Sequence, residues 1–291
     1  LGCNFSDTVH FGGTWMSGNA DITIAVIGLT PVYEGEEGDA FLSAGGGDKK
    51  SLNLPASEIA YMKALRKASN HPIIAVITAG SDLDVSSIES YADAIIYAWY
   101  PGEEGGAAVA ETLSGKNNPA GRLPVTFYTG VDQLPNFEDY GMANRTYRYF
   151  DGKPLYPFGY GLSYTSFRYS DLTVPAQPVA AGEPIGADVT VTNSGKVAGD
   201  EVVQLYLKFP PVKGAPLIAL RGFQRVHLEP GESQKVHFEL KNRDLGIVTE
   251  DGNPIIAQGD YTIGIGGGQP NTGAPVVTGK FHIEGQIDLP E

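Results

Sequence analysis

The sequence predicts a chain in two parts: an α/β sandwich, with a mainly parallel sheet and flanking helices, followed by an all-β sandwich of the immunoglobulin or fibronectin type III class. Three observations predict it. Apolar β-branched runs alternate with helical patterns over residues 1–125. Residues 126–171 are rich in Pro, Gly, Tyr and Phe and hold no sustained period. From residue 172 onward the pattern has period two, broken by turn residues, as in a sandwich of short strands.

The elements follow in order. Residues 22–29 (ITIAVIGL) form a near-continuous apolar run, the pattern of a parallel strand buried on both faces. Residues 57–68 space Ile59, Met62, Leu65 and Ala68 along one helical face, with Pro55 ahead of the helix and Asn70-His71-Pro72 ending it. Residues 73–78 (IIAVIT) read as a second buried strand, 86–91 as a short helix or turn, 94–98 as a third strand, and 105–113 as a helix of small residues. Strand and helix in alternation give βαβ units and a parallel sheet covered by helices. The middle segment, Tyr156 to Tyr164 above all, is an ordered strap, because aromatic rings at that density must pack. Beyond it, 187–193, 201–208, 234–240 and 260–265 alternate as strands, separated by Asn193-Ser194-Gly195, Pro230-Gly231-Glu232 and Asp251-Gly252-Asn253-Pro254.

Composition narrows the function classes. The 291 residues carry a net charge of −14, which opposes nucleic acid and anionic membrane surfaces. No apolar run reaches the ~18 residues of a membrane span. The single Cys3 supports neither a disulfide framework nor a zinc knuckle. The first residues lack the basic and apolar regions of a signal peptide, and the chain is expected to begin partway through a longer protein.

The densest chemistry follows the first predicted strand. Glu34, Glu36, Glu37 and Asp39 place four carboxylates within six residues, interrupted by Gly35 and Gly38. In an open parallel sheet, the loops at the carboxyl ends of the strands form the ligand crevice. Crowded carboxylates repel, which raises the pKa of some of them, and a general acid must be protonated before it can donate. A solvated acidic loop is the bland alternative. A calcium loop is another, although the spacing departs from the usual calcium-loop pattern. Gly45-Gly46-Gly47 lacks the residues that complete a phosphate cradle. Trp99-Tyr100 follows the third strand and would serve either as a face for stacking a sugar or as a packed anchor. The five histidines, His10, His71, His227, His237 and His282, show no metal-ligand spacing, and no serine-hydrolase elbow is present.

These motifs, in this order, resemble the C-terminal region of family 3 glycoside hydrolases over nearly the whole chain. The carrying stretches are Val26-Ile27-Gly28-Leu29 with Glu34-Gly35-Glu36-Glu37, then residues 47–55 (GDKKSLNLP), 98–102 (AWYPG), 121–127 (GRLPVTF) and 156–164 (YPFGYGLSY). The resemblance implies an exo-acting retaining β-glycosidase, a β-glucosidase or β-xylosidase. In such a protein the nucleophilic Asp comes from an N-terminal (β/α)8 barrel and the acid/base Glu from the α/β sandwich. Laying the family's Gly-Glu-Gly-x-Asp pattern on residues 35–39 makes Glu36 the acid/base, Glu37 the runner-up and Glu34 the third candidate. Glu34, Asp39, Trp99 and Tyr100 are the expected substrate contacts.

The resemblance implies no metal and no cofactor. Its partners would be an oligosaccharide or aryl β-glycoside, the barrel, and, as one option, a second copy in a homodimer. It also implies a periplasmic or extracellular location. Lys49 stands where the family commonly has Asp-Arg, which leaves a local ion pair open. Without a barrel the chain is expected to be inactive by itself. A non-catalytic carbohydrate-binding or surface-interaction module is the reading from another class.

Overall fold

The computed structural model describes residues 11–35, 38–40, 42–43, 46–47 and 49–290. Against the expected segments 1–125, 126–171 and 172–291, contacts group the chain into two compact units. One comprises Leu1–Glu111 with Phe127–Leu134, the other Thr112–Thr126 with Pro135–Glu291.

The first unit is built on three parallel strands in the order β1-β2-β3: β1 (Thr23–Gly28), β2 (Ile73–Thr78) and β3 (Ala94–Tyr97). The register runs from Thr23 opposite Ile73 to Gly28 opposite Thr78, and from Ile74 opposite Ala94 to Ile77 opposite Tyr97. Helices α1 (Phe11–Gly18), α2 (Pro31–Glu34), α3 (Ala56–Ala68), α4 (Ser86–Glu89) and α5 (Gly105–Leu113) surround these strands in sequence. The predicted face of α3 is the buried one, with Met62 and Leu65 enclosed. They join Ala25, Ile27, Ile73, Ala75 and Ile77 in the core, and α1 packs against α3.

One strand departs from expectation. The run 22–29 is buried on one face only: Ile22, Ile24 and Val26 are exposed, Val26 to 64%. Here β1 is the edge of the described sheet and no described element lies over that face, whereas β2, the central strand, has four of its six residues buried. Helix α2 was also not expected. Pro31 occupies its first turn, where the fixed φ of proline suits a helix start, so the acidic segment begins with a helical turn that ends at Glu34.

The second unit is all-β. Its sheets are β4 (Phe167–Thr173), β6 (Ile185–Asn193) and β9 (Ser233–Leu240) in the order β4-β6-β9, and a five-stranded sheet in the order β5-β13-β12-β7-β8. The latter contains β5 (Val179–Ala180), β7 (Gly199–Lys208), β8 (Ala219–Leu228), β12 (Gly259–Gly266) and β13 (Val276–Glu284). A small third sheet joins β10 (Ile247–Val248), β11 (Pro254–Ile256) and β14 (Ile287–Asp288). Alternation along β6 turns Ile185, Ala187, Val189 and Val191 inward, where they meet Leu205, Leu207, Ile263 and Ile265 in one core. Each sandwich histidine faces an Asp on the neighbouring strand: His227 faces Asp200, His237 faces Asp188, and His282 faces Asp260.

The aromatic strap is pinned to this unit. Leu123 and Tyr160 share a backbone bond of 2.8 Å, as do Gly159 and Leu123. Phe158 stacks on Tyr147 at 4.2 Å and Tyr156 on Tyr160 at 5.1 Å. Gly159 (φ +78°) lies so close to Gln204 and Tyr206 that any Cβ there would fall about 2.3 Å from the Gln204 oxygen. Arg122 extends from the same region to Glu201, 2.7 Å away, and Tyr169 donates to the other Glu201 oxygen at 2.6 Å. Arg145 donates to the carbonyls of Asn136, Asp139 and Gly141 and closes the loop between them.

Candidate active site

The three parallel strands end on the same side, and the turns that leave them converge on Glu34. Gly28 ends β1 with φ +135°, a conformation in which a Cβ would sit 2.0 Å from the Thr78 carbonyl oxygen. Only glycine can make that exit. The chain then turns through α2 and delivers the Glu34 carboxylate to the turn after β2. There the Gly80 N–H donates to it at 2.7 Å and the Ser81 hydroxyl takes its other oxygen. The turn after β3 contributes Tyr100, whose hydroxyl also donates to Glu34. Lys49 lies 3.7 Å from Glu34 and donates to Ser81 and, at 3.0 Å, to the Asp82 carbonyl. These groups line a shallow cavity of about 300 Å³ formed by Glu34, Lys49, Gly80, Ser81 and Tyr100.

Electrostatics decide what Glu34 can do here. Its side chain is 9% exposed, and burial alone would push its pKa up. Ser81, Tyr100, Gly80 and Lys49 together outweigh burial and hold Glu34 below the usual carboxylate value. An ionised carboxylate with this many donors is a fixed anchor and a poor proton donor. Burial lowers the Lys49 pKa, against the pull of Glu34 and Asp82. It raises that of Asp82 despite the nearby Lys49. The Tyr97 and Tyr100 hydroxyls are pushed up too, first by burial and then by the Glu34 charge.

The other residues predicted for the site are distributed differently. Tyr100 presents an exposed ring, seated so close to Gly80 that a Cβ there would meet the ring at 2.8 Å. Trp99 takes φ +56° and packs edge-on against Tyr97 (4.8 Å) and Phe127 (6.1 Å), the arrangement of a packed anchor. Asp39 is exposed on the surface. Glu36 and Glu37 lie outside the described residues. Sequence reading passed over Gly80, Ser81, Asp82 and Tyr97. The signal for the first three was available, since they follow the second apolar run just as the acidic segment follows the first. Among the described residues, no group of three or more His, Cys, Asp or Glu is arranged to hold a metal ion.

Known proteins resemble this chain in sequence and fold. Residues 15–164 match the family model described as the glycosyl hydrolase family 3 C-terminal domain, and residues 201–269 match a fibronectin type III-like domain. The chain is 42% identical over 219 residues to a xylan 1,4-beta-xylosidase of Xylanibacter ruminicola, covering 75% of this chain and 25% of that protein. It is 35% identical over 234 residues to a periplasmic beta-glucosidase of Salmonella typhimurium, covering 76% and 29%. Among solved structures, a beta-glucosidase from Kluyveromyces marxianus in complex with glucose superposes with a TM-score of 0.80 at 28% identity, covering 96% of this chain and 33% of that one. The chain thus spans about a quarter to a third of the length of these relatives. With the family 3 C-terminal domain model matching residues 15–164, just over half of the chain, and a fibronectin type III-like domain behind it, the chain belongs to glycosyl hydrolase family 3.

Proposed function

We propose that the chain is the acid/base-bearing part of an exo-acting retaining β-glycosidase that removes terminal β-linked glucose or xylose. The observation that carries this reading is the anchor at the strand ends. An ionised Glu34, fixed by three donors from the turns after β2 and β3, holds the start of the segment that carries Glu36 and Glu37. The relatives' names, β-xylosidase and β-glucosidase, support the reaction class.

In this reading Glu36 is protonated when substrate binds and donates to the leaving glycosidic oxygen. An Asp of an N-terminal (β/α)8 barrel attacks the anomeric carbon from the opposite face, about 5–5.5 Å from the acid/base carboxyl, as retention requires. Ionised Glu36 then takes a proton from water, which attacks the glycosyl-enzyme and releases the sugar with net retention. The exposed Tyr100 ring offers an apolar face to a sugar, its tilt set by Glu34. Glu34 itself contributes a negative charge, which favours keeping a neighbouring carboxyl protonated. Export to the periplasm or the exterior accords with the relative named periplasmic.

The test uses the protein that carries this chain together with its barrel, on aryl β-glucosides and β-xylosides. Glu36→Ala should lower turnover by roughly 100- to 10,000-fold, the usual worth of a general acid/base, and azide should restore turnover with an activated leaving group. The same behaviour in Glu37→Ala alone would shift the register by one residue. Wild-type rates in both variants would remove the acidic segment from catalysis and favour a carbohydrate-binding module.

A further inference from the structure

A second carboxyl group sits at the root of the site, and the proposed reaction does not use it. Glu58 lies in the first turn of α3, only 6% exposed, beneath the carboxyl end of β1. It accepts a hydrogen bond of 2.9 Å from the N–H of Gly28. Among the described residues, the elements around it bring no countercharge: β1, β2 and α1 hold no charged residue, and Glu89 of α4 is exposed.

The place of this bond gives it leverage. Gly28 is the residue whose φ of +135° takes the chain out of the sheet, packed so tightly on Thr78 that no side chain fits. The next residue, Leu29, donates to the same Thr78 carbonyl at 2.7 Å, and the first turn of α2 closes through Thr30 to Tyr33 and Glu34. A carboxyl on the Gly28 N–H therefore holds the first link of a short chain of bonds that ends at the Glu34 anchor.

We propose that Glu58 is a proton-linked latch on this exit turn: it is closed while its carboxyl is neutral, and it loosens when the carboxyl ionises without a countercharge and draws water toward the strand end. Burial is the dominant influence on Glu58. The Gly28 N–H opposes it, and the group titrates at about 7. The sign follows from linkage. The folded state holds the proton to higher pH than an ordinary Glu does, so the unfolded or opened form binds fewer protons between the two values. Stability of the latched turn is therefore greatest in acid and declines as pH rises from about 4.5 to about 7. Glu58 is a positioning residue on this account, acting on substrate only through the turn and Glu34.

Hydrogen–deuterium exchange of the Gly28 and Leu29 amides, read in a peptide spanning residues 25–35 of the full-length protein at pH 5.5 and 8.5, tests it after correction for the intrinsic exchange rate. This measurement needs no turnover, so its outcome stands apart from that of the glycosidase proposal. In the wild type, protection at Gly28 and Leu29 should fall at least about tenfold across this range, since one pKa unit of linkage is worth a factor of ten. In Glu58→Gln, which keeps an acceptor and cannot ionise, protection should be the same at both values. Wild-type protection that is independent of pH overturns the proposal, without reference to any variant. An undiminished pH response in Glu58→Gln also overturns it, assigning the response to another group.

Discussion

Removing the Glu201 carboxylate offers the sharpest test of how the second unit is held together. Glu201 is 2% exposed and Arg122, its partner at 2.7 Å, is 9% exposed, so both charges have been taken out of water. Tyr169 occupies the remaining Glu201 oxygen. Burial raises the Glu201 pKa even against the Arg122 charge, a sign of how dry the position is. Glu201→Ala leaves the guanidinium buried beside an empty space and the Tyr169 hydroxyl without its acceptor. Breaking such a pair from one side costs about 3–5 kcal/mol. At roughly 2–4 °C per kcal/mol for a unit of this size, the transition should fall by about 6–20 °C. Differential scanning calorimetry of the full protein reads this as a shift in the sandwich transition. The double variant Arg122→Met with Glu201→Leu should recover most of the loss, because replacing both charges with apolar groups of similar volume is close to neutral. A shift of less than about 1 kcal/mol in Glu201→Ala would show that the pair is solvated and that the reasoning from its burial is wrong.

Two further outcomes concern the site. Gly28→Ala places a Cβ 2.0 Å from a backbone oxygen in a left-handed conformation; it should cost about 3 kcal/mol or more, and a wild-type melting temperature would show that the strand exit is not as tight as described. Glu34→Gln should cost about 1.5–3 kcal/mol at neutral pH, the worth of hydrogen bonds to a charged group. Because the folded-state pKa of Glu34 is depressed, its contribution is present above about 4.5 and lost as pH falls through the folded value. The gap between wild type and variant should therefore close in acid, and a gap that stays constant to pH 3 would mean Glu34 is not held ionised.

Much of the fold was legible because its local and global signals agree. The runs 73–78 and 94–98 and the helix 57–68 appear within a residue or two of their predicted bounds, since β-branched runs and a 3.6-residue period each admit one structure. The strands at 187–193, 201–208, 234–240 and 260–265 lie within β6, β7, β9 and β12, where alternation matches the inward and outward faces of a sandwich. Strand β8, Ala219–Leu228, was not read because Arg221, Gly222, Gln224 and Arg225 break its alternation; it forms by pairing along β7.

Residue types and their order therefore determined the two-part architecture, the acidic segment after β1 and the family. Tertiary structure alone decided that no described element covers one face of β1, that residues 112–126 group with the sandwich, and that Glu34 is an anchored anion. The reason is physical. Periodicity reports whether a residue suits an interface but not whether anything covers it, as the exposed Val26 shows. A carboxylate's charge likewise depends on donors such as Gly80, Ser81 and Tyr100, which lie 46, 47 and 66 residues away in sequence and meet Glu34 only because three parallel strands end together.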